Sequence, residues 1–213
     1  MMNIIDFHTH RQGATRALIS VNPKDFKPQP GQYYSVGYHP WMDLGTLTDD
    51  DYTLLEQCAR HPQVLAIGET GMDTLRGNDL DVQREVFVRH LKLAADLRKP
   101  VVVHCVRTAQ QILATRRQEG FTAVPLVVHG MRGNEQVART WLEAGCYLSY
   151  GARFNPAALR IMPFDRLLIE TDEADETILE IAAQVATVLH LTADQVLDLA
   201  AANSRRLLLG ECD

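Results

Sequence analysis

Val101-Val102-Val103-His104, a helix-forming run over residues 108–119, and then Leu126-Val127-Val128-His129 decide the fold. Each apolar run is short, unbroken and rich in β-branched residues, as expected of a strand covered on both faces, and each ends in a histidine. Strands alternating with helices imply a parallel sheet. Toward the C-terminus the alternation continues with a helix over 134–144, a strand over 146–150 and a short helix between prolines over 156–161. A strand over 167–172 and two helices over 175–189 and 192–209 follow.

Toward the N-terminus, Val82, Val86, Phe87, Leu91, Ala94 and Ala95 recur at helical spacing over 80–98, and Pro100 ends that helix. Val64-Leu65-Ala66-Ile67-Gly68-Glu69 reads as a strand, preceded by a helix in which Thr48 is the N-cap and Asp49, Asp50 and Asp51 form an acidic first turn. Its apolar face is Leu54, Leu55 and Cys58. Earlier strands are expected over 33–38, over 15–21, and from Asn3-Ile4-Ile5 into Asp6-Phe7-His8-Thr9-His10. Residues 11–14 are too few for a crossover helix, and residues 23–32 carry three prolines. Eight strands result. The expected architecture is α/β: a single (β/α)8 TIM-type barrel domain over residues 1–213, distorted, with abbreviated first units. A doubly wound open sheet would bring a Gly-rich phosphate loop after its first strand, and the sequence has none there.

A composition 46% hydrophobic and 23% charged is ordinary for a globular domain. No apolar run approaches the ~18 residues of a membrane span, and no signal-like segment leads the chain, so no membrane partner is expected and the cytoplasm is the expected location. Cys58, Cys105, Cys146 and Cys212 form no C-x-x-C pair, which argues against a disulfide framework or a thiolate zinc site. The net charge of −6 disfavours broad attraction to nucleic acid, so phosphate binding has to be local. The oligomeric state is left open by the sequence.

His8, His10, His39, Glu69, His104, His129 and Asp172 each close an expected strand, and in a barrel those ends share one mouth. His8 and His10, two apart on a strand, share a face. Imidazole and carboxylate without thiolate suit Zn²⁺, Mn²⁺, Fe²⁺ or Co²⁺ and admit Mg²⁺. These donors are too many for one tetrahedral ion, so about two divalent ions per chain are expected, with Zn²⁺ as the bound ion and Mg²⁺ or Mn²⁺ admissible in function. Two such ions against Glu69, Asp172 and one hydroxide leave a positive surplus that attracts an anionic phosphoester. Arg107, Arg132 and Arg153 follow the expected strands that end at His104, His129 and Tyr150 and, with His39, are the candidate substrate-binding residues. Tyr150, Phe154 and Trp41 are read as stacking or packing aromatics, and His61, His90 and His190 as surface residues.

Taken together, Asp6-Phe7-His8-Thr9-His10, Gly37-Tyr38-His39-Pro40, Ile67-Gly68-Glu69-Thr70-Gly71-Met72-Asp73, the strand from Pro100 to His104, His129-Gly130-Met131-Arg132-Gly133 and Glu170-Thr171-Asp172 resemble the TatD family of metal-dependent hydrolases, within the amidohydrolase superfamily. The likeness extends to Asn203-Ser204-Arg205-Arg206-Leu207. It implies a distorted TIM barrel with His8, His10 and Asp172 on one metal, His104 and His129 on the other, and Glu69 between them. It also implies phosphodiester hydrolysis, typically of DNA, or in some members removal of D-amino acids from tRNA. Asp172 and Glu69 are the expected catalytic residues, Asp172 as the proton acceptor. Hydrolysis of a C–N, ester or lactone bond is the alternative. The chain departs from the family pattern in four places: Gly130-Met131 replaces the usual aromatic, no proline soon follows Asp172, Arg107 stands one place later than the common spacing, and the loop after the last strand is nearly gone. The shortened loop and acidic charge predict action on small phosphodiesters or single-stranded DNA, without tight duplex binding.

Overall fold

The computed structural model describes residues 3–210; Cys212 lies outside them. Eight strands, β1 (Asp6–Thr9), β2 (Ala17–Val21), β3 (Tyr33–Val36), β4 (Val64–Asp73), β5 (Val101–Val106), β6 (Leu126–Val128), β7 (Tyr147–Tyr150) and β8 (Leu167–Ile169), form one sheet in sequential order. Among the described residues seven α-helices accompany them: α1 (Asp49–Ala59), α2 (Leu80–Leu97), α3 (Ala109–Gln118), α4 (Glu135–Glu143), α5 (Pro156–Arg160), α6 (Ile178–Leu189) and α7 (Ala193–Leu209). This is the expected (β/α)8 barrel. The first two units are abbreviated, since only residues 10–16 join β1 to β2, and a single 3-10 turn (Pro23–Asp25) stands between β2 and β3. Sequential order is incompatible with a doubly wound sheet, whose order reverses at a switch point. Among the described residues no single helix is long and apolar enough to cross a membrane.

The chain forms two compact units, one of residues 20–127 and one of the residues up to 19 together with those from 128 onward. In the first, β3, β4 and β5 run parallel, with Val36 opposite Ile67, Gly71 opposite His104 and Asp73 opposite Val106. β4 extends four residues past the expected end at Glu69, which carries Asp73 onto the sheet beside β5. Glycines allow the close approach. Gly71 sits at φ 146°, and a Cβ there would collide with the His104 carbonyl oxygen. A Cβ on Gly37 would lie 2.6 Å from the Gly68 Cα. Thr48 caps α1 in a reciprocal box with Asp51, as its sequence position implied.

The buried stripe of α2 is Gln83, Val86, Phe87, His90, Leu91 and Ala94. His90 is therefore not the surface residue expected: it is fully buried. Its Nε2 accepts from the Tyr38 backbone N–H at 3.0 Å, and its Nδ1 lies 2.7 Å from the Val86 carbonyl oxygen. Burial lowers its pKa from 6.5 to about 4. Position, more than polarity, betrays it, because His90 is four residues past Val86 on the apolar face. His61 is half-buried against Phe26, whereas His190, the left-handed C-cap of α6, is exposed as expected.

In the second unit, β7 and β8 pair with Tyr150 opposite Ile169, and β1 pairs with β2 with Thr9 opposite Ile19. Thr9 also bridges Asp172, which brings the residues after β8 alongside β1. β8 ends at Ile169, three residues short of the expected limit, so Glu170, Thr171 and Asp172 occupy the segment beyond it. Reciprocal boxes at Thr177 with Glu180 and Thr192 with Gln195 start α6 and α7. From α7, the Asn203 amide donates to the carbonyls of Phe164 and Leu167 at 2.7 and 2.8 Å, fixing the start of β8.

Candidate metal centres

The unit that contains β1 and β8 gathers His8, His10 and Asp172. The Nε2 atoms of both histidines lie 3.7 Å from Asp172 Oδ1, and one donor atom from each residue falls within 4.8 Å of the others, a set that fits a divalent ion. The backbone enforces this. Asp172 donates its N–H to the His8 carbonyl at 2.8 Å and accepts from the His10 N–H at 3.4 Å. It sits at φ 51°, a left-handed conformation that Asp tolerates better than most residues.

Behind Asp172, the Thr171 N–H and hydroxyl donate to the two carboxylate oxygens of Asp6 at 2.9 and 2.7 Å. Burial raises the Asp6 pKa to about 6 against the opposing pull of these donors. His129, one residue past β6, has its ring centroid 4.3 Å from that of His8. Its Nδ1 is 3.5 Å from Glu170 Oε1, which also accepts from the Gly130 N–H at 2.5 Å. Glu170 is fully buried and, with His129 and Asp172, forms a second donor group. Glu170 is marked in the sequence only as part of Glu170-Thr171-Asp172, with no role assigned to it; a charged residue closing an otherwise apolar strand is the signal that points to it.

The unit of residues 20–127 gathers His39, Glu69 and His104. Glu69 Oε1 lies 2.9 Å from His39 Nε2 and 2.8 Å from His104 Nδ1, and the two ring nitrogens are 3.2 Å apart. Asp73, also without an assigned role in the sequence reading, is 3.2 Å from His104 Nε2 through Oδ2. Oδ2 accepts the Trp41 indole N–H at 2.6 Å, and Oδ1 accepts the Leu75 N–H at 2.7 Å. Burial pushes the Asp73 carboxyl up, but these donors and His104 outweigh it and hold the group below its ordinary value.

The remaining candidates divide. Arg132 reaches within 3.9 Å of Asp172 Oδ2 while staying exposed, so it is near enough to meet an anion held there. Arg107, at φ 58°, and Arg153 are exposed in the loops after β5 and β7. Tyr150 is not available for stacking on a substrate: it is fully buried, with its hydroxyl donating to the Ala158 carbonyl. Trp41 is 47% exposed, and its ring lies edge-on to His39 and His104 with Arg76 over it. The segment after Asp172 is short, and Arg11 ties it down by donating to the carbonyls of Ala174 and Glu176.

The chain resembles known proteins over nearly its full length. It is 28% identical over 218 aligned positions to a protein of Bacillus subtilis described as the uncharacterized metal-dependent hydrolase YabD, covering 92% of this chain and 83% of that one. It is 36% identical over 152 positions to the 3'-5' ssDNA/RNA exonuclease TatD of Cronobacter turicensis, covering 67% of this chain and 57% of the relative. The crystal structure of the TatD homolog YJJV from Escherichia coli superposes with a TM-score of 0.84 at 22% identity, over 98% of both chains. Residues 24–209 match the family model described as TatD related DNase, and the chain belongs to the TatD family of metal-dependent hydrolases.

Proposed function

We propose that this chain hydrolyses phosphodiester bonds at the ends of single-stranded nucleic acid or in small phosphodiesters, using about two divalent ions held by His8, His10, Glu69, His104, His129 and Asp172. The observation that carries the reading is the pair of thiolate-free donor sets, His8 with His10 and Asp172, and His39 with Glu69 and His104, each within reach of one ion. The name of the Cronobacter relative supports the choice of substrate. Divalent ions at such donors supply Lewis-acid polarisation of a phosphoryl oxygen and lower the pKa of water toward about 7.

The protein's share of the work is orientation and proton transfer. Asp172 is locked by its two backbone hydrogen bonds, so its carboxylate is aimed at the site and can take the proton of the attacking water. Arg132 compensates charge on the phosphate, and a guanidinium suits that geometry better than an ammonium would. Arg107 and Arg153 are the further candidates for phosphate contact. Single strands are the favoured substrate because a net charge of −6 gives little broad attraction to a duplex, and the segment after Asp172 is short.

The test is a substrate panel on metal-loaded protein: a 5′-labelled single-stranded oligonucleotide, the same sequence as duplex, bis-p-nitrophenyl phosphate, a D-aminoacyl-tRNA, and amide and lactone substrates. Stepwise shortening of the single strand from its 3′ end, with slower action on duplex, is expected. Turnover of the tRNA ester, amides or lactones with no phosphodiester cleavage would overturn the proposal.

A further inference from the structure

His39 and His104 lie 3.2 Å apart, and both face Glu69 Oε1, yet their other ring nitrogens meet opposite kinds of partner. His104 Nε2 faces the Asp73 carboxylate at 3.2 Å, an acceptor. His39 Nδ1 faces the Trp41 backbone N–H at 3.1 Å, a donor. A neutral imidazole carries one N–H and one lone pair, so the partner of one nitrogen dictates the role of the other. On the His104 ring both nitrogens face carboxylates, Glu69 at Nδ1 and Asp73 at Nε2, so an ion taken beside Glu69 at the Nδ1 lone pair leaves the N–H on Nε2 for Asp73. On the His39 ring the lone pair is taken at Nδ1, and Nε2 presents an N–H toward the same point.

We propose that Trp41 and Asp73 sort these two histidines by tautomer, making His104 an ion ligand through Nδ1 and His39 a hydrogen-bond donor through Nε2 to an anionic substrate oxygen. The inference rests on the metal reading above and narrows it, because three residues within ligand distance then supply two ligands, His104 and Glu69, and one donor. Trp41 is the hub of the arrangement. Its backbone N–H fixes His39, and its indole N–H fixes Asp73 at 2.6 Å, which in turn fixes His104. Asp73 has little freedom to do otherwise. It is 3% exposed, its second oxygen accepts from the Leu75 N–H, and its backbone N–H and carbonyl are both held by the Gln83 side-chain amide. A carboxylate behind a ligating histidine fixes the ring and raises its basicity, and removing such a partner costs about 10- to 100-fold in metal affinity.

The test is a Zn²⁺ titration of the full chain with imidazole ¹⁵N–¹H NMR on the loaded protein, the two rings being identified through His39→Gln and His104→Gln. The expected spectrum shows both rings protonated at Nε2, with zinc at Nδ1 of His104. Asp73→Asn should weaken one zinc by about 10- to 100-fold while leaving the ion at His8, His10 and Asp172 in place. Trp41→Phe keeps the backbone N–H and loses only the indole donor. It should weaken the same zinc by about 3- to 10-fold with the His39 tautomer unchanged, and it carries the test if Asp73→Asn does not fold. Zinc at Nε2 of His39, or affinity in both variants within two-fold of the parent, would overturn the tautomer assignment alone. A parent that takes up no zinc at His104 would overturn the metal reading, and this inference with it.

Discussion

Replacing His90 with Leu should exchange a pH-dependent stability for a pH-independent defect. In the folded chain the His90 ring is neutral, donating through Nδ1 to the Val86 carbonyl and accepting the Tyr38 N–H at Nε2. A proton on Nε2 would set two donors face to face in a fully buried site, in keeping with the fall of its pKa from 6.5 to about 4. The folded ring thus stays neutral while the unfolded one protonates below pH 6.5. Stability is complete above that value, falls as the pH drops toward 4, and loses nothing more below it. At about 1.4 kcal/mol per pH unit the gap is worth about 3 kcal/mol. Leu at this position leaves the buried Tyr38 N–H without an acceptor, costing about 1–3 kcal/mol at neutral pH. Urea unfolding in the presence of a chelator, followed by circular dichroism between pH 7.5 and 4.5, should show the parent ahead at neutral pH and the two proteins converging or crossing near pH 4.5. A difference that stays constant across that range would refute the reasoning.

Asp172→Asn keeps an oxygen ligand and a residue that accepts the φ of 51°, so it should retain most of the metal while kcat falls by roughly 10²–10⁴-fold. Activity within a few-fold of the parent on metal-checked protein would remove the proton-transfer role. Elemental analysis should find about two divalent ions per chain, with activity lost on chelation and restored by metal; saturation at one ion would sink the two-ion reading. Gly71→Ala forces a methyl into the His104 carbonyl at φ 146° and should lower the melting temperature by several degrees, about 2 kcal/mol or more; an unchanged melt would show that β4 and β5 can part at no cost. Asn203→Ala deprives the carbonyls of Phe164 and Leu167 of their donor and should cost about 1–3 kcal/mol in urea unfolding, whereas a loss below about 0.5 would mean that water replaces the amide.

The barrel was legible because its strands are apolar runs bounded by helical periodicity, and Thr48 and Pro100 mark boundaries by local chemistry alone. That His8, His10 and Asp172 come together, and His39, Glu69 and His104, was legible for a related reason: in parallel strands, polar residues that close apolar runs gather at the same ends. Asp73 and Glu170 were harder. Asp73 acts where β4 overruns its apolar stretch, and nothing local shows that Gly71 lets β5 come close enough for His104 to meet it. Glu170 lies behind His129, a relation set by pairing between strands and invisible to spacing along one of them. His90 ran against expectation, a polar residue going inside, while Tyr150 took the packing place open to it, since burial follows the face of the element as well as the type of side chain.

The two donor sets differ in how much chain has to exist before they can close. The contacts described for His39, Glu69, Asp73 and His104 lie within a continuous stretch and link neighbouring strands. The other set waits for a contact between the two ends of the fold, since the Thr171 hydroxyl meets Asp6 across a sequence separation of 165 residues. On a chain emerging from the ribosome N-terminus first, His8 and His10 are made early and lack their carboxylate until the last strand has been synthesised. The loop-closure entropy of that contact exceeds that of any short-range pairing in the other unit. Assembly therefore has a built-in order: the histidines synthesised first are the last to be completed.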